Sequence, residues 1–147
     1  MQYTAHIKWS NNTSIFDVKT FDRTHQIKVG GGLEITASSA PEFAGKKELP
    51  NPEELFTSSI ASCFSLSLFY LIAMKGLVIK DYQCEAIGTL AKNTEGKMAM
   101  TEVVLKPTVT FAEDKMPDAN TLNELLKKAH DTCFISNSVK TVVKIEA

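Results

Sequence analysis

The sequence predicts a single α+β domain covering residues 1–147, in which strands and helices are grouped rather than alternating. Three observations predict this class. Short apolar runs of strand length precede residue 38, a long apolar helix begins near residue 51, and a second helical stripe begins near residue 122. Because strands grouped away from helices are typical of α+β folds, we predict the order ββββ-α-ββ-α-β.

Four strands are predicted before the first helix. Apolar and polar side chains alternate within them, as expected for strands with one buried face. Turn residues separate them, first the Asn-Asn-Thr-Ser segment 11–14 and later three consecutive glycines at 30–32. The predicted strands cover residues 3–9, 15–20, 25–29 and 33–37.

The first helix is predicted from Asn51 to Lys75. Asparagine is a strong N-cap, Pro52 suits the first helical position, and Gly76 suits the left-handed residue after a helix. Residues 55–74 are apolar nearly all round, so we expect burial on most faces. The most apolar part, 60–74, is shorter than the ~20 residues that a membrane span needs, which favours a core helix and no membrane association.

The second half predicts two strands over 83–91 and 98–111, joined by the Asn-Thr-Glu-Gly turn 93–96. A second helix opens near Pro117, and a final strand covers 138–146. The apolar residues of this helix recur at helical spacing, which predicts that the last of them, a cysteine, faces the core. They are Leu122, Leu125, Leu126, Ala129 and Cys133.

Composition excludes several classes of function. The chain has 147 residues, 44% hydrophobic and 22% charged, with a net charge of −1, so nothing favours nucleic acid or an anionic membrane. No leader pattern opens the sequence, and we expect a cytoplasmic protein. The odd number of cysteines, without a Cys-x-x-Cys pair, favours neither a disulfide framework nor a metal site, and we expect no cofactor.

Four residues are candidates for chemistry. Cys63 lies inside the apolar helix and Cys133 ends the second helical stripe, although a buried cysteine alone is more often a small hydrophobe than a nucleophile. Arg23 is the only arginine among many lysines, which hints at bidentate binding of an oxygen ligand. Glu53 has a simpler interpretation as a first-turn acid at a helix N-terminus.

Two motifs together resemble the OsmC/Ohr family of osmotically inducible and organic hydroperoxide resistance proteins. The first is Asn-Pro-Glu-Glu-Leu-Phe at 51–56, with a cysteine ten residues after Glu53. The second is Lys-Ala-His-x-x-Cys-x-x-Ser at 128–136. The resemblance covers nearly the whole chain in element order. It implies an OsmC-like fold of antiparallel sheets around two central helices, in an intertwined homodimer.

The resemblance also implies a thiol peroxidase that reduces organic hydroperoxides in oxidative stress defence. Cys63 matches the peroxidatic cysteine and Cys133 the cysteine that resolves its sulfenate as a disulfide. Glu53 matches a glutamate that pairs with the arginine polarising the peroxide, and Arg23 is the candidate for that arginine. The expected reductant is a dithiol of the lipoylated-protein type.

Three features depart from the family pattern or complicate it. Arg23 lies in neither arginine segment of the two main branches, which indicates a less characterised branch. Phe134 stands where the family usually has proline after the resolving cysteine. Glu53 lies ~15 Å along a straight helix from Cys63, so the helix breaks, or Glu53 acts through Arg23 or across a dimer interface.

Two other classes of function stay open. A non-enzymatic OsmC-like protein would hold a small apolar ligand between its helices and keep its thiols unreactive. A hydrolase would use Cys63 with His25 or His130, although no sequence pattern places either histidine beside the thiol. We otherwise expect both histidines to be structural or on the surface.

Overall fold

Six strands and two long helices form the fold in the computed structural model, which describes all residues, 1–147. The chain divides into two units, Met1–Leu55 and Phe56–Ala147. The elements confirm an α+β class, with two three-stranded sheets. They are β1 (Ala5–Lys8), β2 (His25–Val29), β3 (Leu33–Ala37), α1 (Pro52–Met74), β4 (Ile79–Lys92), β5 (Met98–Phe111), α2 (Ala119–Thr132) and β6 (Val142–Ile145).

The sheet of the N-terminal unit is an antiparallel meander in the order β1-β2-β3. Its register aligns Ile7, Ile27 and Ile35 across the three strands, so one face of the sheet is apolar. Between β2 and β3, Gly30 has φ 55° and Gly32 has φ 119°, which favour glycine. The predicted strands at 25–29 and 33–37 are confirmed.

The predicted strand at residues 15–20 is wrong, and the observed order is βββ-α-ββ-α-β. The segment folds into a turn around Asp17, whose carbonyl accepts hydrogen bonds from the N–H groups of Thr20 and Phe21. The Asp17 carboxylate also accepts from the N–H of Lys19, at 2.9 Å. These local bonds replace the inter-strand bonds that a fourth strand would need.

Helix α1 begins with a capping box. The N–H of Glu54 donates to Asn51 Oδ1 at 2.8 Å, and the N–H of Asn51 donates to Glu54 Oε2 at 3.1 Å. The helix ends as predicted, with Gly76 in the left-handed region at φ 69°. It is long and apolar enough to cross a membrane, but one such helix is weak evidence, because core helices pass the same test.

The prediction that α1 is buried on most faces is wrong for the chain by itself. One stripe is buried, and the opposite stripe, spaced at four residues, leaves Leu66, Tyr70 and Met74 64%, 66% and 68% exposed. An apolar helix face that is left exposed to water is typical of an interaction surface, so we expect a second surface to cover this face of α1. The buried stripe consists of Thr57, Ile60, Phe64, Leu68, Leu71 and Ile72.

The C-terminal unit is built on the long β4–β5 hairpin. Its turn follows the predicted segment, where Asn93 Oδ1 accepts from the N–H groups of Glu95 and Lys97. Strand β6 pairs with β5 in parallel, which departs locally from the expected antiparallel sheets. Helix α2 provides the crossover that parallel neighbours require. The core lies between α1, α2 and β5. Its largest members besides the α1 stripe are Val103, Leu105, Leu125 and Leu126.

Candidate functional site

The C-terminal unit brings the two predicted thiols together. Cys63 is half-buried in the middle of α1 and Cys133 is completely buried directly after α2. Both pack in the same core, and the two thiols are near enough that the Cys133 thiol raises the pKa of Cys63. Both are reduced. Two sulfurs far apart in the sequence therefore meet in the core of one unit.

Cys133 faces the core as predicted but caps α2 rather than belonging to it. Its N–H donates to the carbonyl of His130, and its backbone is already extended, with ψ 111°. Its sulfur accepts a hydrogen bond from the N–H of Ser136 at 3.4 Å. The turn after α2 thus fixes the position of this sulfur through the backbone.

The surroundings of Cys63 set its protonation. Burial raises the pKa of the Cys63 thiol above its ordinary value, because the thiolate loses hydration. The backbone N–H groups of Ile135 and Phe134 act in the opposite direction on that pKa, and the Cys133 thiol raises it. Since a thiol must ionise to act as a nucleophile, Cys63 needs a cation to become reactive at neutral pH.

Arg23 lies in the N-terminal unit, where local bonds hold its guanidinium. One terminal nitrogen donates to the carbonyl of Phe21 at 2.5 Å and the other to the carbonyl of Val18 at 2.7 Å. The guanidinium carbon lies 3.9 Å from the centre of the Phe21 ring, a cation–π contact. This bidentate, stacked geometry is one that a lysine cannot reproduce.

Arg23 also lines a cavity of about 340 Å³ within the N-terminal unit. The wall is almost wholly apolar, and the Arg23 guanidinium is its one permanent charge. Such a pocket suits a small apolar body that carries one polar or anionic group. The other lining residues are Ile7, Trp9, Phe16, Phe21, His25, Ser38, Ser39 and Pro52.

Glu53 is half-buried in the first turn of α1, while the neighbouring Glu54 is committed to the capping box. Helix α1 is continuous from Pro52 to Met74, so the expectation of a break near its start is wrong. The alternatives that remain for Glu53 are action through Arg23 or across a dimer interface, and both stay predictions.

Sequence reasoning missed three features around the thiols. The Nδ1 atom of His130 and the hydroxyl of Ser136 are buried without a hydrogen-bond partner, close in sequence to Cys133. The third feature is the set of backbone N–H groups in the turn. His130 and Ser136 could have been noticed because they belong to the motif around Cys133. Backbone N–H groups cannot be recognised from the sequence in this way.

The third cysteine has different neighbours. Cys84 lies on β4 beside Tyr82, whose hydroxyl accepts a hydrogen bond from Ser65 at 2.8 Å. Burial raises the pKa of Tyr82 to about 12. Because Cys84 lies on a strand rather than on a helix, we expect it to take no part in the chemistry. No three His, Cys, Asp or Glu side chains are grouped as metal ligands.

Comparison with known proteins identifies the family. The sequence model of the family described as OsmC-like protein matches residues 45–147. This chain belongs to the OsmC-like protein family. Peroxiredoxin OsmC of Escherichia coli (strain K12) is 30% identical over 104 residues, covering 71% of this chain and 69% of that protein. The uncharacterized protein YmaD of Bacillus subtilis (strain 168) is 29% identical over 120 residues, covering 80% and 79%.

Solved structures of the family confirm the fold. An OsmC-like protein of unknown function from Vibrio cholerae matches with a TM-score of 0.95 and 31% identity, covering 99% of this chain and 98% of that one. The organic hydroperoxide resistance protein OhrB of Bacillus subtilis matches with a TM-score of 0.69 and 22% identity, covering 99% and 97%. The second likeness concerns the fold alone.

Proposed function

We propose that this OsmC-like protein is a thiol-dependent peroxidase that reduces organic hydroperoxides to alcohols. The observation that carries the proposal is that the Cys63 and Cys133 thiols lie near each other inside one core. A second thiol beside the nucleophile is what a peroxidase needs to trap its sulfenic acid before further oxidation. The similarity to peroxiredoxin OsmC supports the same chemistry.

The proposed cycle has three steps. The Cys63 thiolate attacks the distal oxygen of the hydroperoxide, the O–O bond breaks, and the alkoxide takes a proton and leaves as the alcohol. The Cys133 thiol then attacks the Cys63 sulfenic acid, forming the disulfide and releasing water. A dithiol, of the lipoylated-protein type, reduces this disulfide and is itself oxidised to a disulfide.

Arg23 is proposed to supply the cation that activates Cys63. A fixed guanidinium stabilises a thiolate and the charge that develops on the leaving oxygen. Glu53 is proposed to orient this guanidinium. The apolar cavity beside Arg23 supports an alkyl or aryl hydroperoxide as substrate rather than hydrogen peroxide.

The proposed assembly is a cytoplasmic homodimer. The exposed apolar stripe of α1 at Leu66, Tyr70 and Met74 supports a partner surface, because such a stripe is costly to leave in water. We expect no nucleic acid or membrane partner, consistent with the net charge of −1.

Intact mass after one equivalent of cumene hydroperoxide tests the proposal. The reduced protein should lose two hydrogens, and peptide mapping should find a Cys63–Cys133 bond. Cys63→Ser should abolish this loss, and Cys84→Ser, the matched control, should retain it. No oxidation even with excess peroxide would overturn the peroxidase proposal.

A second candidate function is non-enzymatic binding of a small apolar ligand. The cavity of about 340 Å³ in the N-terminal unit favours it, as does burial that raises the pKa of Cys63. In that case Cys63 would resist both peroxide and alkylation at neutral pH. The protein would still bind a probe such as octanoate, and Arg23→Met would weaken that binding.

A further inference from the structure

His25 contributes one of the few polar side chains to the cavity of the N-terminal unit. It begins strand β2, and the register with β1 pairs Ile27 directly with Ile7. Because alternate side chains of a strand share a face, His25 lies on the same apolar face as these two isoleucines. The half-buried imidazole therefore stands in an apolar wall, where a polar atom without a hydrogen bond is costly.

One hydrogen bond fixes the ring of His25. Its Nδ1 atom lies 2.8 Å from the carbonyl oxygen of Arg23. Because a carbonyl oxygen can only accept, we assign the proton of the neutral imidazole to Nδ1. The other ring nitrogen, Nε2, then carries a lone pair, and no group of the chain donates to it. Nε2 is therefore the atom with which His25 can accept a hydrogen bond from a ligand.

Arg23 offers the opposite kind of group to the same cavity. A guanidinium has five N–H donors, and the carbonyls of Phe21 and Val18 accept from one on each terminal nitrogen. The N–H groups that remain can donate to an oxygen of a ligand. Arg23 also holds the ring of His25 through its own carbonyl, so donor and acceptor are fixed relative to each other.

The two serines of the wall already have hydrogen-bond partners. The Ser38 hydroxyl accepts from the N–H of Lys46 at 3.2 Å, and the Ser39 hydroxyl donates to the carbonyl of Phe43 at 3.0 Å. The polar groups left for a ligand are thus a cationic donor and a neutral acceptor. A ligand that satisfies both needs an oxygen that accepts and an O–H that donates.

We propose that His25 and Arg23 together bind the head group of a protic oxygen ligand, R–O–O–H or R–O–H, whose apolar group R fills the N-terminal cavity. The O–H donates to Nε2 of His25, and an oxygen accepts from the guanidinium of Arg23. The binding part stands on the cavity alone, and the identification of the ligand as the hydroperoxide substrate rests on the proposed peroxidase function. His25 then distinguishes a hydroperoxide from an ether or dialkyl peroxide of similar shape.

The apolar wall makes this distinction effective. An O–H that leaves water to enter the cavity must find an acceptor there, and Nε2 provides it. A ligand that carries a methyl group in place of that proton leaves Nε2 covered and without a partner. Losing one such hydrogen bond in a buried site corresponds to about a tenfold change in Kd.

Trp9 provides a direct signal of binding in this cavity. It is the only tryptophan of the chain, and it lines the same wall as His25. Its indole N–H donates to the carbonyl of Asp22 at 2.7 Å, and its ring lies 5.5 Å from that of Phe16. Because these contacts hold the indole in place, its fluorescence should change when a ligand enters the cavity.

The experiment titrates Trp9 fluorescence with cumyl alcohol and with cumyl methyl ether, which differ at the O–H. The unchanged protein should bind the alcohol about tenfold more tightly than the ether. His25→Phe should abolish this preference while keeping an aromatic ring in the wall. His25→Gln should retain part of it, because the amide oxygen can accept in place of Nε2.

His6→Phe is the matched control. His6 is exposed on β1, and the register places it on the opposite face of the sheet from Ile7, so the preference for the alcohol should stay unchanged. An equal preference in the unchanged protein and in His25→Phe would overturn the proposal, since His25 would then act by packing alone. A Trp9 signal that neither ligand changes would overturn it as well.

A second measurement needs no variant that must fold. In the unchanged protein, nitrogen NMR spectra should show that Nδ1 of His25 is protonated and that Nε2 is not. The alcohol should shift the Nε2 signal, and the ether should not. A neutral ring protonated at Nε2 would overturn the proposal. Neither measurement uses peroxide, so a failure of the peroxidase proposal is seen separately, as unoxidised Cys63.

Discussion

The two units of this chain hold their functional groups in different ways. In the C-terminal unit, Cys63 and Cys133 pack in one apolar core, and the N–H of Ser136 also holds the Cys133 sulfur. In the N-terminal unit, few side chains are fully buried, and Arg23 is held by two local carbonyls and one aromatic ring. One unit holds the proposed nucleophile, and the other holds the guanidinium that is proposed to activate it.

The difference separates two requirements of thiol chemistry. Burial in the C-terminal unit protects the sulfurs from casual oxidants but raises the pKa of Cys63, which works against the thiolate. The N-terminal unit offers the positive charge without a comparable core. Stability should therefore depend mainly on the C-terminal unit, and reactivity on both.

Two phenylalanines test where stability resides. Phe64 is fully buried in the C-terminal core, and Phe64→Ala should lower the free energy of unfolding by about 3–5 kcal/mol, since it leaves a cavity. Phe16 is 67% exposed, and Phe16→Ala should cost less than about 1 kcal/mol. Urea denaturation measures both. Phe16 makes ring contacts with Trp9 and Phe21. Equal losses would show that these three rings form a second core in the assembled protein, which would contradict the comparison.

Two cations of the N-terminal unit test where reactivity resides. Arg23→Lys should lower kcat/KM for cumene hydroperoxide about 100-fold, because an ammonium cannot keep the two carbonyl bonds and the ring contact. Lys46 forms an exposed ion pair with Asp22 at 3.6 Å, and Lys46→Met should leave kcat/KM unchanged. A similar loss in both variants would point to general electrostatics rather than a fixed guanidinium.

Two glycines compare the packing of the units. A Cβ on Gly88 would lie 2.2 Å from Thr57 Oγ1 and 2.6 Å from Met100 Cε, so Gly88→Ala should destabilise the protein by about 1–3 kcal/mol. A Cβ on Gly31, in the N-terminal unit, would meet nothing within 4 Å. Gly31→Ala should therefore leave the thermal midpoint nearly unchanged. A midpoint for Gly88→Ala as high as that for Gly31→Ala would mean that α1 packs loosely on β4.

Sequence patterns predicted the elements that follow one local rule. Strands 25–29 and 33–37 and the helix start at Pro52 follow from alternation, glycine turns and capping, and the structure confirms them. Residues 15–20 alternate as well, but Asp17 satisfies the backbone locally and prevents a strand. The alternation pattern could not reveal this, because it does not show whether the backbone groups bond to Asp17 or to a neighbouring strand.

The sequence predicted the two cysteines of the candidate site but not the groups that shift the pKa of Cys63. Cys63 and Cys133 stood out by their motifs, and the fold brings them together. The amides of Phe134 and Ile135 leave no trace in side-chain identity, since every residue except proline has an N–H. The exposed stripe of α1 was also missed. A helix that is apolar all round is predicted to be buried, but the sequence does not say whether the same chain or a partner covers it.

Two tyrosines extend the comparison of the two units to the dependence of stability on alkaline pH. Burial raises the pKa of Tyr82 in the C-terminal unit to about 12, whereas an unfolded chain ionises its tyrosines near ~10. The folded state thus binds the proton more tightly, so this contribution to stability is complete below pH ~10 and is lost as pH rises towards 12. Between these values, the free energy of unfolding should fall more steeply for the unchanged protein than for Tyr82→Phe.

Tyr3→Phe is the matched control, because Tyr3 is exposed in the N-terminal unit and its loss should leave the steep fall unchanged. Urea denaturation at several alkaline pH values measures the slopes. Parallel curves for the unchanged protein and Tyr82→Phe would mean that the Tyr82 hydroxyl is hydrated despite its bond from Ser65. The C-terminal unit would then admit water near β4, and its thiols would owe their protection to the turn after α2 rather than to a dry core.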